Sequence, residues 1–141
     1  MDEVAARLAF ERAMDSHQPA FEKFFMARFL DLQFIYRGGC CYIEFELQDF
    51  MFNPQGSLHG GVIATVMDIS MGHLLNHVDG PGITLEMNTQ FAKAARSGVL
   101  QCKGEFTHRG QGISYLRSTL TDPAGDVVAF STATWKRLKS V

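Results

Sequence analysis

Between Asn53 and Val78 the chain reads NPQGSLHGGVIATVMDISMGHLLNHV, and Asp68 is the only acid or strong base in it. An unpaired carboxylate in so apolar a run is expensive unless it is used or held neutral by a shifted pKa. From Leu58 onward the residues are apolar nearly all round, which predicts a helix buried on most sides. Such a helix puts Gly61, Ala64, Thr65 and Gly72 on the face of Asp68, at spacings of three, four and seven residues, and their small side chains leave room beside the carboxylate. At the other end, a helix starting near Leu58 or His59 directs the free N–H groups of Gly60 and Gly61 from its positive pole toward any oxygen that gains negative charge. Glycine at both places also lets a ligand approach the backbone. Asp68 lies eight residues beyond Gly60, about 12 Å along a helix axis. One substrate can therefore meet both only if a second protomer supplies one of them, which makes at least a dimer part of the expected mechanism.

Other residues nearby carry two readings each. Asn53 could hold the helix N-terminus or a water, or close an Asn-Pro turn. His59 could orient a substrate group or anchor the loop. His73 and His77 have the four-residue spacing of a metal pair, but HLLNH lacks the Glu of HExxH and no third ligand is evident. They suit the helix C-terminus instead, where imidazolium meets the dipole. No GxSxG elbow is present, which argues against a serine triad. Cys40, Cys41 and Cys102 are odd in number without CxxC spacing, so neither a disulfide framework nor a zinc site is expected, only reduced packing cysteines.

The elements that must position these groups follow from pattern. With 141 residues, 46% of them hydrophobic, the chain suits one domain with a real core over 1–141, residues 1–18 forming a helical extension. The net charge of −2 gives no basic field for nucleic acid or an anionic membrane, and the acidic start lacks a signal peptide's n- and h-regions, so a cytoplasmic protein is expected. Val4, Ala5, Leu8 and Ala9 mark an amphipathic helix over 2–14, and Phe21, Phe24, Phe25 and Phe29 a second short one beginning at Pro19. Leu32, Phe34, Tyr36 and then Cys41, Ile43, Phe45, Leu47 alternate around Gly38-Gly39 as a hairpin. After the buried helix come four strands: one with Ile83, Leu85, Met87 and Phe91 on a single face opposite Thr84, then 99–107, 112–121 and 127–135. The last two are joined by a type I turn at Asp122-Pro123-Ala124-Gly125. Helix, two strands, buried helix, four strands reads as an α+β fold with a long helix on an antiparallel sheet.

The run Asn53, Gly56, His59-Gly60-Gly61, Asp68, with Gly82-Ile83-Thr84 and the later Arg109-Gly110 and Asp122 to Gly125, resembles the hotdog-fold acyl-CoA thioesterases of the phenylacetate-degradation (PaaI-like) type, over about residues 19–137. The resemblance implies a central helix wrapped by a curved sheet of about six strands. It also implies dimers, which often pair into tetramers, with an acyl-CoA thioester at the subunit interface and no cofactor beyond the coenzyme A of the substrate. It casts Asp68 as general base or nucleophile, Gly60 as oxyanion donor, and Thr84 as a hydroxyl that helps hold water. Simple strand propensity is the other reading of Thr84. The resemblance makes Lys93, Arg96 and Arg109 candidates to meet the phosphates of coenzyme A, although exposed cations also serve simply as solvated surface. The chain departs from the family in lacking a proline in the 93–98 loop and in carrying Gln111 where relatives often have a second basic residue. A non-catalytic acyl-CoA binding module would have no need of Asp68. A hotdog hydratase or dehydratase would pair an acid with a histidine, and His59 and Asp68 are nine residues apart, half a turn out of phase on one helix.

Overall fold

A computed structural model describes residues 1–139. The elements run α1 (Glu3–Ser16), α2 (Phe25–Phe29), β1 (Gln33–Arg37), β2 (Cys40–Glu46), a single 3-10 turn at Asp49–Met51, α3 (Gly60–Asp79), β3 (Gly82–Phe91), β4 (Val99–His108), β5 (Ile113–Thr121) and β6 (Val127–Arg137). The six strands form one antiparallel sheet in the order β1-β2-β4-β5-β6-β3, so β1 and β3 are its edges. Helix α3 lies across it and packs on β2 through β6. This is the hotdog arrangement expected from the sequence.

Alternation decides which residues meet the helix. In β2, Cys41, Ile43 and Phe45 are buried, and Leu100, Cys102, Leu116, Leu120, Val128 and Ala133 continue that layer across the sheet. Each fully buried Ile, Leu or Phe of this kind stabilises the fold by about 1.5–3 kcal/mol over leaving it exposed. Close approach of helix to sheet requires glycine at two points. A Cβ on Gly104 would lie 2.6 Å from the Ser70 carbonyl oxygen, and one on Gly72 would lie 2.5 Å from the Trp135 ring. The space beside Asp68 that Gly72 leaves is thus filled by the Trp135 indole. Cys41 and Cys102 are free and buried, and burial pushes their thiols up to about 12 and about 11, so neither is a thiolate at neutral pH.

Three expectations are corrected by tertiary packing. In α1, Ala9 and Ala13 are buried while Val4 and Leu8 are exposed, because the helix contacts the rest of the chain through its alanines, where a close approach to α2 is possible. The second helix does not begin at Pro19. Residues 19–24 form turns, with Glu22 at φ 69°, and the helix is only Phe25–Phe29. In β3 the pairing with β6 shifts register between Thr84 and Glu86, a β-bulge that changes the side-chain parity. Thr84 therefore faces α3 together with Met87 and Phe91, while Ile83 and Leu85 are exposed.

Candidate active site

Asp68 sits midway along α3, half-buried, on the flank that overlooks edge strand β3. Its Oδ1 accepts a hydrogen bond of 2.7 Å from Thr84 Oγ1, its one polar partner among the described residues. Burial raises its pKa, and the Thr84 bond only partly offsets that. A carboxylate short of donors and partly stripped of water is a stronger base than an exposed one. The bulge in β3 is what makes this pair possible, since strict alternation would turn Thr84 away once Met87 and Phe91 face the helix.

The N-terminus of α3 is the second part of the candidate site. His59 is the N-cap: its carbonyl accepts from Val62 and Ile63, and its Nδ1 accepts from the Gly61 N–H at 2.8 Å. That assigns the neutral tautomer with the proton on Nε2, and it makes His59 a loop anchor in this chain. The Gly61 N–H, expected to be open to a ligand, is thereby occupied. The Gly60 N–H has no partner among the described residues. It borders a cleft of about 320 Å³ lined by Asn53, Ser57, Leu58, Ile63 and Phe91, among others. The Phe91 ring lies across Gly60, 3.3 Å from where a Cβ would stand, although the side chain is 56% exposed. Nothing in the sequence singled out Phe91 for this place. Asn53 shapes the loop before the helix: its amide nitrogen donates to Ser57 Oγ at 3.1 Å and its Oδ1 accepts from the Ser57 N–H at 3.2 Å.

The basic residues do not gather. Lys93 bridges Asp122 at 2.6 Å and Asp126 at 2.9 Å, pinning the β5–β6 turn, and these carboxylates, Asp122 first, raise its pKa. Arg109 makes a two-pronged contact with Asp79, its Nε at 2.8 Å, and this bond depresses the Asp79 pKa. The pair neutralises an acid at the helix end where the dipole disfavours one. Asp79 and Gly60 stand at opposite ends of a 20-residue helix, about 30 Å long. Arg109 and Lys93 therefore flank different ends of one chain. Arg96 is exposed in the loop between β3 and β4.

His77 lies in the last turn of α3 as expected, whereas His73 takes another role than the dipole pairing. His73 is 6% exposed; its Nδ1 donates to the Ile69 carbonyl and its Nε2 accepts from the Glu22 N–H at 3.0 Å. Desolvation lowers its pKa, so it is a neutral core side chain, packed on Phe21, Phe24 and Phe34. His77 stacks on Tyr36, whose hydroxyl donates to Glu22. Among the described residues no group of three His, Cys, Asp or Glu is arranged to hold a metal ion, and no helix is long and apolar enough to cross a membrane.

Residues 55–129 match the Thioesterase superfamily, and the chain belongs to that family. The matched segment holds Gly60, Asp68 and Thr84. Among solved structures it is similar to the Escherichia coli PaaI protein from the phenylacetic acid degradation operon, at 16% identity over 97% of this chain and 98% of that one, with TM-score 0.81. A phenylacetic acid degradation-related protein of Ralstonia eutropha JMP134 is similar at 24% identity over 91% and 98%, TM-score 0.74. A Haemophilus influenzae thioesterase is similar at 16% over 76% and 78%, TM-score 0.72. At such identities the likeness establishes the shared fold. A comparison with curated proteins finds no match by sequence.

Proposed function

We propose that the protein hydrolyses an acyl-CoA thioester to the free acid and coenzyme A, acting in the cytoplasm as a dimer that shares each site between protomers. The observation that carries this reading is Asp68: a half-buried carboxylate of raised pKa, held among the described residues by Thr84 alone, on the helix flank beside a sheet edge. Among the described residues strand β3 pairs only with β6, and Ile83, Leu85 and Phe91 along it are 45%, 51% and 56% exposed. An edge so long and apolar invites a second copy, and two chains meeting there would bring each Asp68 toward the other's Gly60.

In the base route, Asp68 takes a proton from water as the oxygen attacks the thioester carbonyl. The Gly60 N–H of the partner receives the negative oxygen, and the carbon–sulfur bond breaks to release the thiolate, which is protonated. In the nucleophile route Asp68 attacks the carbonyl and displaces the thiolate, which is protonated, and water then cleaves the resulting anhydride to the free acid and the Asp68 carboxylate. The family membership supports thioester chemistry; the coenzyme A moiety, the dimer and the roles of Lys93, Arg96 and Arg109 belong to this proposal. A panel of acyl-CoA thioesters followed by thiol release tests it. Turnover of at least one acyl class, lost in Asp68→Asn, is expected. Tight acyl-CoA binding without turnover in the wild type would instead favour a binding module.

A further inference from the structure

We propose that Trp135 is a positioning residue for the Asp68 carboxylate, its indole forming the dry wall that Gly72 makes room for. This rests on the reading of Asp68 as the reacting carboxylate. Three contacts link Trp135 to the stretch of α3 that carries Asp68. Trp135 and Thr84 are direct cross-strand partners in β6 and β3, on the face toward α3, and Thr84 holds Asp68 at 2.7 Å. The far edge of the indole presses on Gly72, one helical turn beyond Asp68 on the same face. Trp135 is itself 5% exposed, so the surface it covers is closed to water.

Its identity also goes beyond packing. The indole Nε1–H is buried and has no partner among the described residues, a burden that a phenylalanine or leucine at this position would not carry. The ring fills a slot that only a glycine on the helix permits. The two residues form one matched device, with α3 giving up a side chain at Gly72 so that the largest aromatic ring can lie against the helix one turn beyond Asp68. The desolvation that makes Asp68 a stronger base fits such a wall.

The test is Trp135→Phe, which retains an aromatic ring but opens a gap at Gly72, together with the Trp135→Phe/Gly72→Ala pair that refills it. The primary readout needs no substrate: the titration of the Asp68 carboxyl by carbon NMR. Trp135→Phe is expected to move that titration toward the ordinary carboxylate range, and the double variant to move it back. For hydrolysis, the acid limb of the pH profile should follow the same order, with kcat falling and KM changing less than twofold. Leu100→Ala, which loosens the core on β4, serves as the control for mere destabilisation and should leave the titration in place. An Asp68 titration unmoved in folded Trp135→Phe, or moved equally by Leu100→Ala, overturns the inference. A wild type that turns over no thioester while the titration shifts as described would defeat the hydrolase reading alone.

Discussion

Replacing Asp68 by Asn separates chemistry from architecture because the structure gives the two roles opposite signs. Asparagine has the same shape, and its Oδ1 can still accept the bond from Thr84 Oγ1, so no native hydrogen bond is lost. The folded-state pKa of Asp68 lies above its unfolded value, so the folded state binds the proton more readily and the ionised form costs stability at neutral pH. That cost fades as pH falls through the raised pKa. Asn at pH 7 should therefore leave stability unchanged or slightly higher, within about 1 kcal/mol, or roughly 3 °C in melting temperature for a chain of this size. Loss of the base should lower kcat by about 10²–10⁴ with acyl-CoA binding retained. Thiol release measures the first quantity and calorimetric melting the second. If the carboxylate were a structural acceptor, the mismatch would cost about 1.5–3 kcal/mol and the folded fraction would keep its activity. A drop of 5 °C or more with near-normal turnover would refute the reasoning.

Gly60→Pro should fold, since the first helical position tolerates proline and His59 already has the extended φ −63°, ψ 133° that a following proline requires; kcat should fall about 10²–10³ through loss of one N–H, as thiol release would show. Gly72→Ala should lower stability by about 1–3 kcal/mol, read from urea unfolding, because a Cβ there meets the buried Trp135 ring at 2.5 Å. The folded pKa of His73 is depressed below its unfolded value, so the unfolded chain binds the proton first. Stability should fall as pH drops below about 6.5, and His73→Gln should remove that component from melting curves taken between pH 8 and 5. Sedimentation should give a species of at least twice 15.7 kDa at micromolar concentration; an active monomer would contradict the shared site.

The helix, its start at the glycine pair and the lone acid in its interior were legible because a run of that length with one charge admits few readings. The hairpin and the Asp122 turn were equally plain, since alternation and turn chemistry are local. Strict alternation puts Thr84 on the wrong face because a bulge breaks the two-residue period without leaving a mark in composition. The ion pairs of Lys93 and Arg109 were hidden for a different reason. Their partners Asp122, Asp126 and Asp79 lie 29, 33 and 30 residues away, and only the folded chain brings them together. His59 resolved toward the loop because its ring reaches back to the Gly61 N–H, a two-residue contact that spacing alone does not distinguish from a ligand contact. Phe91 and Trp135 were invisible as site residues, being ordinary strand aromatics until the helix is laid across them.

The shared site is tested most directly by mixing two inactive proteins, Asp68→Asn and Gly60→Pro, under conditions where subunits exchange. In a heterodimer one interface site carries both substitutions and the other carries neither. Random exchange at equal amounts makes half of the dimers mixed, so activity should return to about a quarter of wild type. Mixed dimers that form, fold and stay inactive would contradict the account.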